Sequence, residues 1–160
     1  MAMAYINIGS NQGDRKALIG QAVALISVFA GCRPICSDYF ESEPWGYTSD
    51  APYLNLGVAF PTTLSPECLL EKLLDIQNSI SSGSHRDALG GYIDREIDID
   101  LIAVDSIVIN TPELTIPHPR MHLRDFVLVP MSQIAPDWQH PILHLNCSQI
   151  LASLVNTPKG

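Results

Sequence analysis

Arg95-Glu96-Ile97-Asp98-Ile99-Asp100-Leu101-Ile102-Ala103-Val104 alternates charged and branched apolar residues, then closes on an unbroken apolar run. Strand side chains point alternately to two faces, so Glu96, Asp98 and Asp100 fall together and Ile97, Ile99 and Leu101 fall opposite. A strand over Arg95–Val104 is predicted, one face against a core and the other lined with carboxylates. Residues two apart on a strand lie roughly 6.5–7 Å apart at Cα. Carboxylates at that spacing can converge on a pair of cations ~3.5–4 Å apart, the arrangement of two-metal phosphoryl chemistry. Oxygen-only ligands suit Mg²⁺, which keeps waters and shares phosphate oxygens. Taken alone, the same row also describes the solvated face of an amphipathic strand.

Upstream of that strand, Ser65-Pro66-Glu67 reads as a helix start: a Ser cap, Pro at the first helical position and an acid facing the helix dipole. Leu69, Leu70, Leu73, Leu74, Ile76 and Ile80 supply its apolar face. Between helix and strand, Ser81–Tyr92 carries Gly83, Gly90 and Gly91 and reads as a mobile loop. Tyr53–Phe60 is predicted as a strand, with Tyr53, Asn55 and Gly57 on one face. The stretch from Glu43 to Pro52 is turn-rich. Pro34–Phe40 is a further strand candidate. A helix is expected from about Asp14, with Leu18, Ala22, Leu25 and Phe29 inward and Gly31 as its stop. Tyr5–Ile8 forms the opening strand, closed by Gly9-Ser10-Asn11. Downstream, Ile107–Asn110 is a short strand, Thr111–Arg120 is held extended or turned by its prolines, and Ser148–Val155 is a last helix. The order βαβ, then βαββ, predicts an α+β fold: a ferredoxin-like α/β sandwich with a mainly antiparallel sheet and helices packed on it. Residues 1–160 read as a single domain.

The chain has 160 residues, 46% hydrophobic and 16% charged, which is enough apolar material for one core. Its longest apolar runs fall short of the ~20 residues a membrane span needs, and Met1–Tyr5 lacks the pattern of a signal peptide. Cys32, Cys36, Cys68 and Cys147 are scattered, so free and mostly buried thiols are expected, in a cytoplasmic protein. Formal net charge is −8 with only nine Lys and Arg, which argues against a nucleic-acid surface. Arg86, Arg95, Arg120 and Arg124 nevertheless lie within one stretch, enough to grip one polyanionic small molecule. The phosphate-loop pattern G-x-x-x-x-G-K-[ST] is absent.

Leu114-Thr115-Ile116-Pro117-His118-Pro119-Arg120, followed by Arg124-Asp125-Phe126, is the second unusual segment. Prolines on both sides of His118 restrict its backbone, and a rigid histidine between arginines suits phosphate donation as well as it suits an exposed turn. His85, His122, His140 and His144 make no convincing metal-ligand spacing and read as structural or surface residues. Trp45, Tyr47, Tyr53 and Trp138 suit a core or a flat pocket, with the core the default for any single aromatic.

Arg95-x-x-Asp98-x-Asp100, joined with Leu114-Thr115-x-Pro117-His118-Pro119-Arg120-x3-Arg124-x-Phe126-Val127-Leu128, resembles the 6-hydroxymethyl-7,8-dihydropterin pyrophosphokinases of folate synthesis. Ile6-x-Ile8-Gly9-Ser10-Asn11, Tyr53-Leu54-Asn55, Met131-x-x-Ile134-Ala135-Pro136 and His140-Pro141 extend the resemblance over nearly the whole chain. It implies direct pyrophosphoryl transfer from ATP, with AMP leaving. Asp98 and Asp100 would hold two Mg²⁺ ions. Arg86 and Arg95 would act with them in catalysis. ATP would meet Gln77, Arg86, Tyr92 and Arg95, together with Leu101, Thr115, His118 and Arg124. The pterin would meet Ser42, Pro44, Gly46, Tyr53, Asn55 and Phe126. Partners are then two small molecules, with no nucleic acid or membrane, and a monomer is expected. The chain departs from the family pattern where Gln77 replaces an acid and where Ser84 and Glu113 replace arginines. Those departures motivate a second reading, a degenerate relative that binds pterin or nucleotide without turnover.

Overall fold

The computed structural model describes residues 1–42, 52–81 and 96–155. In chain order the elements are β1 (Ala2–Ser10), α1 (Arg15–Ala30), β2 (Ile35–Cys36), β3 (Phe40–Ser42), β4 (Tyr53–Thr62) and α2 (Pro66–Ile80). They continue with β5 (Asp98–Val104), β6 (Ile109–Asn110), β7 (Thr115–Ile116), a single 3-10 turn (Met121–Leu123), α3 (Asp125–Ile134) and α4 (Cys147–Val155). The main sheet runs β2-β4-β1-β5 with β3 also on β4, and every pairing is antiparallel. This is the α+β sandwich that the element order predicts.

The helix starts follow local chemistry. Asp14 accepts from Ala17 N at 3.1 Å and Ser65 from Cys68 N at 3.2 Å, each satisfying an otherwise unpaired first-turn N–H. Gly31 ends α1 in the left-handed region at φ 70°, where a side chain would be strained.

Helices α1 and α2 cover one face of the sheet, burying Ile6, Ile8, Leu56, Val58, Ile99 and Leu101 against Ile19, Ile26, Leu69 and Leu73. A second cluster joins Met121, Val127, Leu128 and Met131 to Trp138, Cys147 and Ile150 beneath α3 and α4. Trp138 belongs to this core: its ring packs on Tyr5 at 6.1 Å and its N–H donates to Asp105 O at 2.8 Å.

Several sequence expectations shift. The buried stripe of α1 is Ile19, Ala22 and Ile26, whereas Leu25 is exposed. The candidate strand Pro34–Phe40 divides into β2 and β3, and the acidic strand begins at Asp98, leaving Glu96 ahead of it. Strand β4 is buried on both faces, because α3 covers the face carrying Gly57 and α1 and α2 cover the other. Of the cysteines only Cys147 is buried, where burial pushes its thiol up to about 12; Cys36 and Cys68 are exposed. The turn-rich stretch from Glu43, most of the Ser81–Tyr92 loop, and Pro44, Gly46, Arg86, Tyr92 and Arg95 lie outside the described residues.

Candidate active site

Strand register assembles the site. Gly9 of β1 stands opposite Asp98 of β5 on one side and opposite Asn55 of β4 on the other. One step along, Asn7 stands between Asp100 and Gly57. Residues directly opposite in a ladder share a face, so Asp98, Gly9 and Asn55 form one row and Asp100, Asn7 and Gly57 the next. With strands ~4.8 Å apart, the Asp98 and Asn55 backbones are about 10 Å apart across an empty glycine. That glycine matters: a Cβ at Gly9 would lie 3.1 Å from Asn55 Oδ1 and 3.6 Å from the Tyr53 ring. In the sequence Gly9 marks a strand end and belongs to the Ile6–Asn11 motif, and nothing local distinguishes Asn7.

On the β4 side, Asn55 is 2% exposed, and its Nδ2 donates to Ser42 Oγ at 2.9 Å and Phe40 O at 3.1 Å. A carbonyl needs a donor, so these bonds fix the amide orientation and leave Oδ1 toward Gly9 as an acceptor. Ser42 pairs in register with Tyr53. The register thus brings Ser42, Tyr53 and Asn55 together.

On the β5 side, Asp98 and Asp100 are half-buried, and Asp100 acts electrostatically on both His118 and Arg124. Burial pushes the His118 imidazole below its ordinary value; Asp100 opposes this, while Arg124 and Arg120 reinforce it. Its backbone N–H donates to Ile102 O at 2.7 Å, and its Nδ1 accepts from Arg120 N at 3.2 Å, which leaves Nε2 as the ring's donor. Burial also lowers Arg124, whose guanidinium lies 5.6 Å from the Phe126 ring centroid at the start of α3.

The remaining nucleotide candidates divide. Leu101 is 5% exposed in the helix-side core, so only its backbone can meet a ligand. Thr115 is half-buried in β7, two residues ahead of Pro117. Gln77 is 3% exposed on α2 and its Oε1 accepts from Ile99 N at 2.8 Å. Among the described residues β5 is the end strand of the sheet, and this bond covers its edge between the two aspartates.

Two carboxylates on one face, oxygen-only and partly open, fit a hard cation whose other ligands are phosphates and water. No group of three or more His, Cys, Asp or Glu side chains converges on a metal position among the described residues.

A model of the family described as 7,8-dihydro-6-hydroxymethylpterin-pyrophosphokinase (HPPK) matches residues 5–136. The chain belongs to this family. Among HPPK relatives, it is 40% identical over 144 residues to a 2-amino-4-hydroxy-6-hydroxymethyldihydropteridine pyrophosphokinase of Porphyromonas gingivalis, covering 88% of this chain and 95% of that one. It is 39% identical over 133 residues to the enzyme of that name from Bacillus subtilis, covering 82% and 77%. The fold also matches the crystal structure of a Plasmodium falciparum HPPK-DHPS triple mutant, with a TM-score of 0.71 at 12% identity. That match covers 96% of this chain and 43% of the Plasmodium chain. No helix among the described residues is long and apolar enough to cross a membrane.

Proposed function

We propose that this chain transfers pyrophosphate from ATP to the hydroxyl of 6-hydroxymethyl-7,8-dihydropterin in folate biosynthesis. The hydroxyl oxygen bonds to the β-phosphorus, the bond from that phosphorus to the α–β bridging oxygen breaks, and AMP leaves. The observation that carries this reading is the two adjacent rows Asp98–Gly9–Asn55 and Asp100–Asn7–Gly57, which set two acids on one side of β1 and a buried amide acceptor on the other.

On the β4 side, Asn55 Oδ1 accepts from the amide edge of the pterin, held in that orientation by Ser42 and Phe40 O. Tyr53 and Phe126 supply flat faces for the ring system, with Pro44 and Gly46 assigned to the same subsite. On the β5 side, Asp98 and Asp100 would hold Mg²⁺, two ions in this reading, which would supply neutralisation of phosphate charge and acidification of the attacking hydroxyl. His118, donating from Nε2, and Arg124 hold the phosphates, with Arg86 and Arg95 assigned alongside them. Thr115, the Leu101 backbone and Tyr92 are assigned to the nucleoside end, and Gln77 supports it through Ile99. The chain acts as one domain, residues 1–160, in the cytoplasm and as a monomer.

Asp98→Asn and Asp100→Asn test the acid pair. Each should lower pterin-dependent AMP formation by about a hundredfold or more, the scale of removing one transition-state electrostatic group. Their unfolding temperature should stay near that of the parent. Full turnover in either variant overturns the assignment.

A further inference from the structure

Helix α3 contains Pro130, which has no N–H to give to the carbonyl four residues earlier, that of Phe126. A buried carbonyl left over in a helix must find another donor. Here Asn7 of β1 supplies it: Nδ2 donates to Phe126 O at 2.9 Å, from a side chain only 4% exposed. Proline also seats the helix. A Cβ at Gly57, beside Asn7 in register, would lie 2.9 Å from Pro130 Cβ, so only glycine admits α3 this close to the sheet. The residue before α3, Arg124, makes no side-chain capping bond, so the first turn lacks the usual local anchor. The bond from Asn7, 119 residues away in sequence, ties that first turn to the sheet. It also starts from the side chain next to Asp100.

We propose that Asn7 is a positioning residue for the pterin: by holding the Phe126 carbonyl it fixes the head of α3, and with it the Phe126 ring, over the row Asp98–Gly9–Asn55. This rests on the reading of Phe126 as a pterin contact. An apolar residue at position 7 would still pack against α3 but would have no donor for the Phe126 carbonyl. The tether therefore joins the strand carrying the site's floor to the helix carrying its roof.

A double-mutant cycle tests it, with 6-hydroxymethylpterin affinity read by pterin fluorescence and a non-hydrolysable ATP analogue as the control ligand. Asn7→Ala should weaken the pterin about tenfold and leave the analogue within about twofold. Asn7→Leu, which fills the volume, should do the same, separating the lost bond from a cavity. Pro130→Ala returns an N–H to α3, so in that background Asn7→Ala should cost the pterin less than about threefold. A purely structural Asn7 would lower the unfolding temperature while leaving the ratio of the two affinities unchanged and the cycle additive. Parental pterin affinity in both Asn7 variants, or an equal loss with and without Pro130, overturns the proposal. Phe126→Ala separates the two readings. Undiminished pterin affinity there sinks the assignment of Phe126 and the tether with it. A loss there with the Asn7 variants unaffected sinks the tether alone.

Discussion

Gln77→Leu separates local order at the acidic strand from global stability. The substitution removes the acceptor of the Ile99 N–H, a buried bond of 2.8 Å, and a buried donor left unsatisfied costs about 1–3 kcal/mol. It also removes Gln77 Nε2, which is buried and has no partner among the described residues, so a penalty of the same order is relieved. The two nearly cancel, and leucine keeps the volume. At ~2–4 °C per kcal/mol for a chain of this size, the unfolding temperature should move by only a few degrees. The damage is local: Ile99 lies between Asp98 and Asp100 on the end strand, and its amide should exchange with solvent faster than its neighbours on β1. Hydrogen exchange read at the Ile99 amide, beside a thermal melt and an AMP-release assay, distinguishes these outcomes. The expected set is faster exchange, a nearly unchanged melt and a raised Mg²⁺ requirement. Exchange at the parental rate would mean that Gln77 is not what protects that strand edge.

Gly9→Ala places a methyl group 3.1 Å from Asn55 Oδ1, so pterin affinity should fall about tenfold, equivalent to about 1.4 kcal/mol, with ATP-analogue affinity unchanged in a binding titration. Burial, reinforced by His122 and His144, depresses His140, whose Nδ1 accepts from Ile142 N and Leu143 N. A base with a lowered folded value stabilises the fold fully above its unfolded value near ~6.5 and loses that contribution as pH falls through the folded one. Melts below about pH 6.5 should therefore drop more steeply in the parent than in His140→Asn, which keeps an acceptor but does not titrate.

Much of the site was legible because strand alternation is a local rule. Asp98 and Asp100 share a face with period two, and β5, β1 and β4 place that face beside Asn55. The helix starts at Asp14 and Ser65 were legible for the same reason, since caps act within one turn. Helix α3 was not. Pro130 inside Asp125–Ile134 argues against a helix by any local rule, and the donor that makes it tolerable, Asn7, comes from the other end of the chain. The phase of α1 was equally hidden: Leu18, Ile19, Ala22, Leu25, Ile26 and Phe29 are apolar nearly all round, so the sequence cannot say that Ile19 and Ile26 face inward while Leu25 does not. Gly9 and Asn7 gained meaning only from their cross-strand neighbours, which sequence spacing does not contain.

Pyrophosphoryl transfer is tested most directly by identifying the nucleotide product when the purified chain is mixed with ATP, Mg²⁺ and 6-hydroxymethyl-7,8-dihydropterin. Such transfer yields AMP together with the pterin diphosphate, in equal amounts and only when pterin is present. ADP as the product, or AMP formed at the same rate without pterin, would contradict it.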